Sequence, residues 1–159
     1  MNDQMELCNA VEKAAQRPEG AAAVASIYNA LQQAIDAQKP VCLVSGRCCR
    51  FEEFGHRLYV TTLELAAFVR PVRLQTPSLQ PWDGSGCPFQ RNKLCTVHAF
   101  RPFGCRIFFC DATATAWQNQ QYELFHRRLK DLHVQLDVPY FYVEWREALA
   151  ALGWGKMTR

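Results

Sequence analysis

Seven of the chain's eight cysteines lie between Pro40 and Asp111, and their spacing decides which chemistry is open to it. Cys42 and the adjacent pair Cys48-Cys49 flank Gly46, a residue at which the backbone can bend sharply. Cys87 is followed by Pro88, Cys95 follows the turn-like Arg91-Asn92-Lys93, Cys105 follows Gly104, and Cys110 stands five residues further on. Thiolates gathered in this way either pair as disulfides or hold a soft metal of the zinc or iron–sulfur type. The chain has no pair of CxxC knuckles, which excludes a zinc ribbon or finger. Seven thiols exceed the four used by a single ion or a cubane cluster. Either some are bystanders, or the centre is polynuclear with bridging thiolates. Neighbouring side chains in an extended segment point to opposite faces, so Cys48 and Cys49 serve one ion only within a turn, or else serve two ions or two roles.

Length and composition favour metal over disulfides. A chain of 159 residues is expected to be one domain with an ordinary core, and it has no need of disulfides to fold. Its apolar content of 49% and charged content of 21% are those of a globular protein rather than a disordered one. The start, Met1-Asn2-Asp3-Gln4-Met5-Glu6, has neither the basic nor the apolar region of a signal peptide, and no apolar run approaches a membrane span. The expected compartment is the cytoplasm, where thiols stay reduced and read as ligands first. A formal charge of +3, without a comb of basic and aromatic residues, makes nucleic acid the weaker alternative.

A buried thiolate centre is anionic and needs donors and positive groups around it. Arg47, Arg50, Arg101 and Arg106 each lie within a few residues of a cysteine. Arg101 and Arg106 are expected to bond sulfur or to fix the loop that carries it. His98 lies inside the cysteine run and is either a nitrogen ligand or a packing residue beside the centre. His126 and His133, seven apart on one helix, read as helix-surface residues, and Cys8 as a small half-buried apolar residue. Glu64 reads as a capping residue rather than a general base, and no Walker loop, GxGxxG or HExxH is present.

Helices are expected to position these groups. Leu7, Val11 and Ala14 mark a first helix, and Arg17-Pro18-Glu19-Gly20 separates it from a second carrying Val24, Ile27, Tyr28, Leu31 and Ile35 on one face. After Lys39-Pro40, the alternation of Leu58 and Val60 with Arg57, Tyr59 and Thr61 predicts a short strand. Thr61-Thr62-Leu63-Glu64 has the form of a capping box, opening a helix through about residue 69 that Pro71 is expected to stop. Tyr122, Phe125, Leu129, Leu132 and Leu136 predict a long helix broken at Val138-Pro139. A short aromatic strand over 140–144 and a last helix from Trp145 to Leu152 complete the chain.

The segments Cys42-Leu43-Val44-Ser45-Gly46-Arg47-Cys48-Cys49, Cys87-Pro88-Phe89, Cys95-Thr96-Val97-His98 and Arg101-Pro102-Phe103-Gly104-Cys105-Arg106 together resemble the YkgJ family of cysteine-cluster proteins. That family is described as a zinc- or iron-chelating domain related to flagellin lysine N-methylase. The resemblance covers about residues 42 to 110 and implies metal binding. Ser45 departs from the family pattern where a second cysteine is usual, and Cys110 stands where an aromatic residue is more common. Cys110 is expected to replace the missing ligand.

The expected fold is therefore mainly α, with helical flanks (1–39 and 112–159) wrapping an irregular cysteine-rich middle (40–111) that holds one or two short strands. The expected ligands are Cys42, Cys48, Cys49, Cys87, Cys95, Cys105 and Cys110, with Arg101, Arg106 and His98 around them. The expected cofactor is an iron–sulfur cluster, 4Fe-4S before other forms, or an iron or zinc ion. Two other functions stay open: a metal-dependent enzyme of methyl transfer or redox type, and a metal-free thiol-redox protein.

Overall fold

The computed structural model describes residues 2–40, 57–75, 82, 84–107 and 112–154. The described residues are mainly helical, as expected, with two small antiparallel sheets. Helix α1 (Asn2–Ala15) turns at Arg17 into α2 (Pro18–Gln38), whose first position is proline, where the missing N–H costs no helical bond. Lys39 closes α2 in the left-handed conformation, its N–H donating to Ile35 O at 2.8 Å.

Strand β1 (Tyr59–Thr61) leads into α3 (Thr62–Gln75). Strands β2 (Gln90–Arg91) and β3 (Leu94–Cys95) form a tight hairpin, and the short helix α4 (Phe103–Ile107) follows. The long helix α5 (Thr115–Leu136) ends on a left-handed Asp137 before β4 (Tyr142–Glu144) and α6 (Trp145–Ala151). Strand β4 returns across about half of the chain to pair with β1, in the register Tyr59 with Glu144 and Thr61 with Tyr142.

Two apolar clusters hold these elements together. In the larger one, α1 and α3 pack through Leu7, Val11, Ala14, Val69 and Val72. Phe68 and Phe89 meet each other and both Trp145 and Trp154 at tilted angles, with Phe68 and Trp145 centroids 4.9 Å apart at 80°. Such edge-to-face pairs add about 0.5–1.5 kcal/mol beyond area burial. In the smaller cluster, Leu31 and Ile35 of α2 meet Phe103 and Ile107 of α4 and Phe125 and Leu129 of α5. The short cysteine-bearing helix α4 is thus clamped between two long ones.

Two local expectations are overturned. Pro71 does not stop α3, which runs on to Gln75. An interior proline costs about 3 kcal/mol, and burial of Val72 against α1 returns about 1.5–3 kcal/mol of it. Arg70 adds a bond to Ala15 O, and Arg73 pairs with Glu12 at 2.6 Å across the same interface. His133 is not on the helix surface: it is only 2% exposed. Its Nδ1 bonds Leu129 O at 2.6 Å, and its Nε2 accepts the Leu63 N–H at 3.2 Å in the first turn of α3. The ring joins two helices, and burial pushes its pKa down.

Candidate metal centre

Of the seven candidate thiols, Cys87, Cys95 and Cys105 fall within the described residues, whereas Cys42, Cys48, Cys49 and Cys110 lie outside them. Cys87 is buried against the ring cluster. The Trp145 indole N–H donates to its sulfur at 3.3 Å. Trp145 is itself pinned, its backbone N–H donating to Leu58 O at 2.8 Å where β1 and β4 meet. Sequence reasoning missed this donor, because 58 residues separate Trp145 from Cys87 and only the strand pairing brings them together.

The β2–β3 hairpin folds Cys95 back towards Cys87. Cys95 stands opposite Gln90, and the Gln90 N–H donates to Cys87 O at 3.1 Å. Thr96 doubles the closure, donating its N–H and its hydroxyl to Phe89 O at 3.0 and 2.6 Å. Asn92 and Lys93, at φ 52° and 65°, supply the two left-handed residues that a two-residue hairpin turn requires. Cys95 and Cys105 are both half-buried and pack against the cluster that contains Cys87.

Cys105 sits in the middle of α4, and three groups fix that helix. Gly104 lets α4 approach Leu58 closely: an added Cβ would lie 2.5 Å from Leu58 Cδ1, and that side chain would have to shift. Arg101 and Arg106 lace the approach to α4. Arg101 donates to His98 O at 3.0 Å and Cys105 O at 3.3 Å, and Arg106 donates to Arg101 O at 2.6 Å and Ala99 O at 3.0 Å. These bonds fit the loop-fixing alternative for both arginines. The Arg106 guanidinium also stacks 4.1 Å from the Tyr28 ring centroid. Its pKa is pushed down chiefly by burial. His98 is exposed, and burial of part of its ring and then Arg101 and Arg106 lower its pKa.

The third group is Glu64, which is 3% exposed. The capping box expected from sequence is present: Thr61 N–H donates to Glu64 Oε2 at 2.8 Å, and Glu64 N–H donates back to Thr61 Oγ1 at 3.4 Å. The Thr61 hydroxyl also donates to Oε2, at 2.9 Å. The other oxygen does more than cap. Oε1 accepts the Phe103 N–H at 2.7 Å, at the start of the cysteine-bearing helix, and the Tyr28 hydroxyl at 3.4 Å. One carboxyl therefore joins α2, α3 and α4. Burial raises its pKa, against the four donors that favour its charge.

Among the described residues, no three His, Cys, Asp or Glu side chains gather closely enough to hold a metal by themselves. The described thiols nonetheless fit a soft metal in chemistry, with an indole N–H on one sulfur and a guanidinium near another. Beside Cys105 opens a cleft of about 280 Å³, lined by both β1 and α5. No helix among the described residues is long and apolar enough to cross a membrane. No family model, curated protein or solved structure matches this chain.

Proposed function

We propose that this chain is a cytoplasmic metal-binding protein of the YkgJ type, holding an iron–sulfur cluster, or an iron or zinc ion, through clustered cysteine thiolates. The observation that carries this reading is the buried Cys87 sulfur accepting the Trp145 indole N–H at 3.3 Å. N–H donors of this kind, directed at sulfur inside an apolar shell, stabilise and tune thiolate-bound metals. The hairpin that returns Cys95 and the braced helix that carries Cys105 add to the support. Cys87, Cys95 and Cys105 would be ligands, joined by members of the set Cys42, Cys48, Cys49 and Cys110.

The test is elemental and spectroscopic analysis of protein purified without oxygen. The expected result is a brown protein with broad visible absorbance and matching iron and sulfide, about four of each per chain for a cubane. Zinc in a colourless protein would select the single-ion form. Protein with neither metal, whose thiols oxidise reversibly, would overturn the proposal in favour of thiol-redox chemistry. A metal-dependent enzyme is a second form of the same reading, favoured by the cleft beside Cys105.

A further inference from the structure

The cleft beside Cys105 has a chemical character of its own. Its base is apolar: Leu58 and Ile107 are buried there, and Gly104 and the half-buried Cys105 complete it. Its rim is polar and exposed. Arg57 precedes β1 on one side, Asn119 stands on α5 on the other, and the Tyr59 and Tyr142 rings, 5.3 Å apart, form a wall between them. The Tyr142 hydroxyl is tied to that of Tyr122, which holds this wall in place.

Among the described residues lining the cleft there is no Asp or Glu, and Arg57 is the single cationic side chain. Elsewhere in the helical scaffold, Arg17, Arg73 and Arg146 pair with carboxylates, and Arg106 bonds backbone carbonyls. Arg57 and Asn119 have no side-chain hydrogen bond or ion pair within the described structure. An uncommitted guanidinium and amide above an apolar base, flanked by phenol rings, match one ligand class.

We propose that this cleft binds a small organic carboxylate with an apolar or aromatic body. The carboxylate meets Arg57 and Asn119 at the rim, and the body lies against the tyrosine wall and the Leu58–Ile107 base. This polarity keeps the ligand's charge at the mouth and its uncharged end towards Cys105. An anionic thiolate centre at Cys105 would therefore not repel it across a short gap. The binding chemistry rests on the lining residues alone, and only the approach to a metal rests on the function proposed above. A volume of about 280 Å³ lies just below the usual drug-sized range and suits a single-ring metabolite.

The experiment is titration of the oxygen-free protein by calorimetry with benzoate, acetate, inorganic phosphate and benzylamine, with metal measured on the same sample. Benzoate is expected to bind more tightly than acetate, and benzylamine not to bind. Arg57→Gln should weaken benzoate about tenfold or more, as expected for loss of a charge-assisted contact. Asn119→Ala should weaken it less. Both residues are exposed and unpartnered, so neither change should alter the thermal midpoint. Equal binding of benzylamine, or benzoate binding unaffected by both substitutions, would overturn the proposal. Phosphate binding that depends on Arg57, without benzoate binding, would overturn it too, because the apolar base would then have no role. Benzoate binding to metal-free protein would leave the cleft standing and defeat the thiolate centre. Metal without benzoate binding would do the reverse.

Discussion

Replacing Glu64 tests whether one buried carboxyl holds the cysteine-bearing helix in place. Glu64→Ala removes the acceptor for four donors: the Thr61 N–H and hydroxyl, the Phe103 N–H and the Tyr28 hydroxyl. The two hydroxyls can rotate towards other acceptors, but the two backbone N–H groups cannot. A buried donor left without a partner costs about 1–3 kcal/mol, and the two together cost about 2–6 kcal/mol. Truncation of the side chain's methylenes acts in the same direction. A loss of about 4 kcal/mol in a chain of this length lowers the thermal midpoint by about 8–16 °C. Glu64→Gln keeps one oxygen and turns an amide N–H₂ towards the donors on the other side, so about half that loss is expected. The assay is urea unfolding of both variants, combined with hydrogen exchange across residues 103–107. The expected result is that α4 exchanges faster in Glu64→Ala even where the whole protein is still folded. A loss below about 1 kcal/mol, or α4 protection unchanged while α3 loosens, would show that Glu64 only caps its own helix.

Trp145→Phe keeps a ring in the core but deletes the N–H on the Cys87 sulfur, so metal affinity should fall about 10–100-fold in a chelator competition while the fold persists. Gly104→Ala places a Cβ 2.5 Å from Leu58 Cδ1 and should cost about 1–3 kcal/mol, and less when introduced into a Leu58→Ala background. His133 should stay neutral with its proton on Nδ1, seen as imidazole nitrogen shifts that do not titrate at about pH 6.5. Its depressed pKa means that the unfolded chain takes up the proton first. Its contribution to stability is therefore complete above the unfolded value and is lost as pH falls through the folded one. A titration midpoint at or above 6.5 would contradict the Leu63 N–H bond. Removing metal with a chelator should leave far-ultraviolet circular dichroism about unchanged while speeding alkylation of Cys95 and Cys105. Collapse of helicity would show that the metal nucleates the fold.

The helical frame was legible because its signals are local. The stripe on α5, the break at Arg17-Pro18 and the Thr61–Glu64 box each concern residues within a few positions of one another. Errors arose where distant partners decide. Pro71 reads as a stop until Val72 is seen against α1, and the cost of the proline is offset there. His133 stands four residues after buried Leu129, and that spacing could have placed it on the core face despite its polarity. In sequence Asn92-Lys93 marks a turn but not a hairpin, since it lacks the glycine that usually marks positive φ. Trp145 on Cys87 and Phe103 on Glu64 had no signal at all in sequence spacing. The expected ligands Cys42, Cys48, Cys49 and Cys110 lie outside the described residues.

Three tethers position the described thiols through contacts within the chain itself. Cys87 is held through Trp145, and so through the pairing of β1 with β4, which joins the middle of the chain to its end. Cys95 is held by a hairpin closed on Phe89, a ring inside the main core. Cys105 is held by Glu64 from below and by Arg101 and Arg106 along the approaching loop. Trp145, Phe89 and Glu64, which anchor the three, are each buried. Zinc fingers are the opposite case, since their ligands have nothing else to order them and the metal supplies the folding energy. On the function proposed above, contacts with the core would meet the entropy of ordering these three thiols, so binding energy that a finger spends on folding would remain available for affinity.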